Sequence, residues 1–189
     1  EFRKNPSTFW MNTLSATKLF TDISLTAGLS LSYNQNKSTM QQQGYEVDYT
    51  NHSFDISPSL KWNAKSNLNF DYNLKALFSG VGINNKSPDN YIPLINHQLY
   101  TYLGVTQKLS VTSNFQHFYN KTPNASVSNL VFADVGMQYQ FNRVAVSLDW
   151  TNILNQKHQV VSSYSTINTR TQVDKLRPSE ILISFRFKR

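Results

Sequence analysis

The feature that most constrains this chain is a two-residue alternation that recurs in segment after segment. Near the C-terminus, Val144, Val146, Leu148 and Trp150 alternate with Ala145, Ser147, Asp149 and Thr151. In the last segment, Ile181, Ile183, Phe185 and Phe187 alternate with Leu182, Ser184 and Arg186. A period of two puts successive side chains on opposite faces of a strand, one face apolar and the other polar. Seven earlier segments read as strands: 8–19, 23–34, 52–63, 68–78, 98–106, 109–119 and 130–141. The second is the clearest, with Ile23, Leu25, Ala27, Leu29, Leu31 and Tyr33 on one face and small residues or amides on the other. The sequence therefore predicts an all-β domain over 1–189, with about nine antiparallel strands.

The connections follow a rhythm. Those near Thr21, Lys65, Lys108 and Asn142 are short. Those over 35–50, 79–96, 120–129 and 155–175 are long and polar, and read as loops. Short turns at one end and long loops at the other is the pattern of bacterial outer-membrane barrels. Strands of about ten residues also suit a tilted crossing of the hydrocarbon layer. Aromatic residues gather where strands meet connections. Trp62, Tyr139 and Phe141 lie near short turns, while Tyr33, Phe78, Tyr119 and Trp150 lie toward long loops. Two such rows match girdles at the headgroup level. Pro58, inside the third strand, predicts a bulge or an edge because it cannot donate to the ladder.

Composition agrees with a sheet that is wet on one side. Aromatics make up 13% of the 189 residues and charged residues only 15%. There are no cysteines, which removes disulfides and thiolate chemistry. The net charge of +7 is spread along the chain without a basic cluster, so no nucleic-acid partner is expected. The first six residues hold no apolar leader, which reads as a mature form or a fragment. No catalytic constellation is visible. His52, His97, His117 and His158 are far apart in sequence, and Gly80-Val81-Gly82 lacks the rest of a phosphate-binding loop. Neither enzyme activity nor a cofactor or metal is expected. Asp55, Asp71, Asp134 and Asp149 fall on polar faces, within cross-strand reach of Lys61, Lys75 or Arg186. Tyr45, Tyr49, Tyr91 and Tyr164, in the expected outer loops, are the candidate ligand contacts.

The run Phe132-Ala133-Asp134-Val135-Gly136-Met137 precedes the strand that leads to Asn152-Ile153-Leu154-Asn155, and Leu176-Arg177-Pro178-Ser179 opens the last strand. These segments resemble the C-terminal barrel of TonB-dependent outer-membrane receptors, particularly the Bacteroides-like type. The resemblance covers about the last 60 residues, with strand and loop rhythm elsewhere. It implies a bacterial outer-membrane location and import of a large nutrient. It implies lipid, the remaining barrel strands and a plug domain as partners, with an energy-coupling protein and a surface lipoprotein beyond them. It also assigns Phe185 and Phe187 to a barrel-assembly signal, although Lys188-Arg189 follow where the family ends on an aromatic residue. Nine strands, with the last ending at the periplasmic side, place the first strand's start outside, so the chain reads as the second part of a larger barrel. A small closed barrel of eight strands, acting as pore or adhesin, and a soluble β-sandwich binding module are the alternatives.

Overall fold

The computed structural model describes residues 7–65, 67–121, 127–164 and 169–187. Lys188-Arg189, the N-terminal six residues and part of the third expected loop lie outside them. The chain forms β1 (Thr8–Phe20), β2 (Leu25–Gln42), β3 (Tyr45–Lys65), β4 (Leu68–Ile83), β5 (Ile92–Gly104), β6 (Leu109–Asn120), β7 (Ser128–Gln140), β8 (Val144–Thr151), β9 (His158–Tyr164), β10 (Thr169–Lys175) and β11 (Glu180–Phe187). Nine of these make one antiparallel sheet in the order β1-β2-β3-β4-β5-β6-β7-β8-β11, and β9 and β10 pair as a separate hairpin. The sheet is open: β1 and β11 are its edges and do not pair with each other.

The register joins the apolar faces of neighbouring strands into one surface. One rung runs Tyr33, Phe54, Phe78, Pro93, and another runs Leu60, Tyr72, Leu99, Phe115, Ala133. At the C-terminal side, Met137, Leu148 and Ile183 line up. A one-residue slip in any pair would have sent a whole strand's apolar set to the polar side. Burial is inverted relative to a soluble sheet. On β3, Phe54, Ile56, Leu60 and Trp62 are exposed, whereas Ser53, Asp55, Ser57 and Ser59 are half-buried. Tyr49, Ala76 and Ala145 are the buried apolar residues among those described. The accessible surface is 13684 Å². A globular monomer of 21.7 kDa would expose about 9,200 Å². The excess fits a single sheet whose apolar face, among the described residues, is covered by no second layer beyond the loop against Gly80 and Gly82.

The expected strands are all present, but several extend further. The stretch 35–50 is not a loop. β2 and β3 continue through it to a two-residue turn, with Gln42 opposite Tyr45 and positive φ at both Gln43 (51°) and Gly44 (85°). Two central residues at positive φ make a type I′ hairpin, whose twist matches the flanking strands. β4 likewise runs on to Ile83 and β5 starts at Ile92, which leaves a loop of 84–91. That loop folds back on the apolar side of β4. A Cβ on Gly82 would lie 1.9 Å from the Lys86 carbonyl oxygen, and one on Gly80 would lie 2.7 Å from Pro88. The last long connection carries β9 and β10, which the alternation did not reveal.

Pro58 sits neither at an edge nor at a bulge. β3 lies between β2 and β4, and the bulge falls further along, between Asn63 and Lys65. The ladder to β2 passes through Leu29 and Pro58, while the ladder to β4 lapses at Ser57 and Pro58 without a change of register. A proline nitrogen with nothing to donate explains the gap. Replacing Pro58→Val is therefore expected to close it. Hydrogen exchange at residues 57–59 and 73–76 should slow, with a stability gain of roughly 1 kcal/mol.

Candidate functional site

The polar face of the sheet carries the carboxylates and their ion pairs, because alternation sends every second residue there, whereas His52, His97 and His117 alternate onto the apolar face. Lys75 Nζ lies 3.9 Å from Asp55 Oδ2, and Lys61 Nζ lies 3.9 Å from Asp71 Oδ2, both across β3–β4. Ser57 donates to Asp55, and Asn73 donates to Asp71 at 2.8 Å. These are the cross-strand partners expected for Asp55 and Asp71. The lysine side chains are more than 60% exposed, so each pair is worth at most about 1 kcal/mol. Asp134 is held differently. It accepts from Asn114 Nδ2 at 3.2 Å and from the Asn152 backbone N–H at 2.8 Å. Asp149 faces Gly136, where the lack of a side chain leaves room for its carboxylate beside Thr112. Arg186 is opposite Ala145.

Toward the long-loop end, β1–β4 enclose a cavity of about 570 Å³ on this face. Asn34, Asn36, Asn51, Ser53 and Ser79 supply amides and hydroxyls, with Phe9 and Met11 beside them. Asn34 Nδ2 donates to Ser53 Oγ at 3.4 Å, while Asn34 Oδ1 is enclosed without a hydrogen bond among the described residues. This cavity was not singled out from sequence. Its asparagines lie on two strands, β2 and β3, and come together only once the hairpin register is known.

The four candidate tyrosines are not gathered into one cluster. Tyr45 and Tyr49 share a face of β3, four residues apart. Tyr45 stands beside the hairpin turn at 77% exposure, but Tyr49 is 4% exposed and cannot be offered to a ligand. Its burial follows from pairing on both sides, with Ser38 and Ile83. Tyr91 is exposed in the β4–β5 loop. Tyr164 ends β9 opposite Thr169, and its side chain lies outside the described residues. Phe185 and Phe187 lie on the apolar face of the edge strand β11, opposite Val146 and Val144.

The histidines also differ from expectation. His97 and His117 are directly opposed on β5 and β6, with rings stacked at 5.3 Å. Tyr72 Oη lies 2.8 Å from His97 Nδ1, and Asn129 Oδ1 lies 2.8 Å from His117 Nε2. The two positions are symmetric about the short turn near Lys108, which is the signal that could have paired them. No group of three or more His, Asp or Glu suited to a metal ion occurs among the described residues.

The best-built local structure is the Asn152-Ile153-Leu154-Asn155 segment. Asn152 and Asn155 both adopt positive φ, 48° and 52°. Asparagine tolerates this region better than most residues. The Asn152 amide nitrogen donates to the carbonyls of Gln156 and Arg177, each at 2.8 Å, and its oxygen accepts the Gln156 N–H at 2.9 Å. Ile153 N–H donates to Ala133 at 2.9 Å. Asn155 Oδ1 accepts from the Ser179 N–H at 3.2 Å, and Trp150 Nε1 donates to Ser179 Oγ at 2.9 Å. This knot ties the end of β8 to β7 and to the Arg177–Ser179 segment that opens β11. The motif therefore fixes the last strand and the base of the β9–β10 hairpin.

The chain matches no protein-family model, no curated protein and no solved structure. Asn152→Ala removes three side-chain hydrogen bonds and leaves an unfavourable φ, so a loss of roughly 2–3 kcal/mol is expected. Asn152→Gly relieves the backbone and should cost less. Chemical denaturation of both variants checks the order.

Proposed function

We propose that this chain forms part of the wall of an outer-membrane β-barrel, in the transport role that its resemblance to TonB-dependent receptors implies. The observation that carries the reading is the inverted sheet. An apolar surface extends across nine strands and is exposed, while the opposite face holds amides, hydroxyls and ion pairs. A lipid bilayer on one side and water on the other satisfies both faces. Backbone polar groups within the sheet are paired strand to strand, as a bilayer demands.

The aromatic positions support the same orientation. Trp62 stacks on Phe70 at 5.6 Å and Tyr139 meets Phe141 at 4.7 Å, both near short turns. Trp10 and Phe54 flank Tyr33 at 5.4 and 4.7 Å toward the long-loop end. On this reading the short turns face the periplasm. The tall β2–β3 hairpin and the β9–β10 hairpin stand outside, where they help to capture a large nutrient ligand. The polar face lines the lumen and guides it, a passive part with no bond made or broken.

Strand direction sets a condition on closure. In a nine-strand antiparallel meander, β1 and β11 run the same way, so they cannot pair antiparallel with each other. An odd number of further strands closes an all-antiparallel barrel. Those strands, a plug, an energy-coupling protein and a surface lipoprotein are the partners of this reading.

The three tryptophans, Trp10, Trp62 and Trp150, all lie on the apolar face, since each pairs into its rungs. In membranes containing brominated phospholipid, tryptophan emission should fall by half or more (roughly, for rings seated at the bilayer interface). Emission unaffected by bromine, or a protein fully soluble without detergent, contradicts the proposal.

A further inference from the structure

Among the described residues, polar side chains interrupt the apolar face at the Tyr72–His97–His117 cluster and at a second place, near β1–β3, that is also not flat. A crevice of about 410 Å³ crosses β1, β2 and β3. Its floor is the rung Thr13–Ser32–Asp55, and its walls are Tyr33 and Phe54 on one side and Leu14, Leu31 and Ile56 on the other. The polar side chains of the floor rung belong to the opposite face, so the crevice is apolar apart from Asn12, which stands opposite Tyr33. Continuing along the same face toward the long-loop end, the next rung pairs Gln35 with His52, and the one after pairs Lys37 with Thr50. Tyr33, in the crevice wall, also bonds His52, with its Oη 2.7 Å from Nδ1. At ~3.3 Å per residue, His52 and Lys37 stand about 7 and 13 Å beyond the Tyr33 wall.

An apolar crevice followed within that distance by an imidazole and an exposed ammonium has the polarity of an amphiphile, with an apolar chain at one end and an anionic head at the other. We propose that this surface binds a phosphate-bearing membrane lipid, with an acyl chain in the crevice and the phosphate against Lys37 and the Tyr33–His52 pair. The inference rests on the reading that this face meets the bilayer. It adds a specific, charge-selective lipid site to what is otherwise non-specific solvation. Leu29 and Leu60 offer no cation, and the other imidazoles of this face, His97 and His117, sit in a rung between Leu74 and Val131 with no lysine, so the combination is local rather than a property of the whole belt.

The test is native mass spectrometry of the membrane-extracted protein, exchanged into nanodiscs of phosphatidylcholine with an equal fraction of phosphatidylglycerol. The expected result is retention of phosphatidylglycerol over phosphatidylcholine by about fivefold, the preference one lysine supplies near a membrane surface. Lys37→Gln should abolish the preference, and Ile56→Trp, which fills the crevice, should lower retention of the lipid altogether. Excess inorganic phosphate should not displace it, because the chain contributes binding that a free anion lacks. Equal retention of the two lipids, or an unchanged preference in Lys37→Gln, overturns the site. So does displacement by phosphate alone. Bromine quenching of the tryptophans separates the two failures. If quenching holds and lipid preference is absent, only this site is lost; if quenching is absent, the membrane reading falls with it.

Discussion

The structure depends on the antiparallel ladder of backbone hydrogen bonds, held in a register that keeps the two faces apart except at the bulge between Asn63 and Lys65. Among the described residues only Tyr49, Ala76 and Ala145 are buried apolar side chains, too few for a core to do the organising. A soluble sheet of this size is held by apolar side chains packed between layers; here most of the apolar side chains point away from the protein. The ladder satisfies the peptide groups, and the alternation decides what each face can touch. From that follow the excess exposed surface, the aromatic clusters at strand ends, and the ion pairs collected on one side.

The local devices can be understood as protecting the register. The type I′ turn at Gln43-Gly44 fixes the pairing of the two longest strands at its tip. The Asn152 knot does the same at the other edge, tying β8, β7 and the entry of β11 with side-chain and backbone hydrogen bonds. Gly136 clears space for Asp149 on the polar face, and the loop after β4 settles onto Gly80 and Gly82. Pro58 marks a lapse in mid-strand that loses rungs on one side without a slip, because the ladder to β2 carries the register through.

Much of this architecture could be read from residues alone, and the failures have a common cause. Alternation reports a difference between the two environments of a strand, not the strand itself. Where one face is apolar, as in 23–34 or 130–141, strands and faces were legible. Where both faces are polar, as over 35–50, 158–164 and 169–175, the same extended backbone looked like loop. The ends of β2 and β3, and all of β9 and β10, were missed for that reason. The site suffered similarly. Asp55 and Asp71 found the partners that cross-strand reach suggests. Tyr49, placed in a loop by its polar neighbours, proved to be a packed strand residue, and the stacking of His97 on His117 needed the hairpin register.

The central claim is that the two faces of this sheet meet different solvents. Because the chain has no cysteine, single cysteines can be introduced one at a time along β7, from Leu130 to Gln140, and labelled with a nitroxide in the membrane-inserted protein. Collision with oxygen, which concentrates in lipid, and with a water-soluble nickel complex should alternate with a period of two. Val131, Ala133, Val135, Met137 and Tyr139 should favour oxygen, and Phe132, Asp134, Gly136 and Gln138 should favour nickel. Low accessibility to both reagents at the apolar positions would mean that protein covers that face. Either that result or equal nickel access at every position would contradict the account.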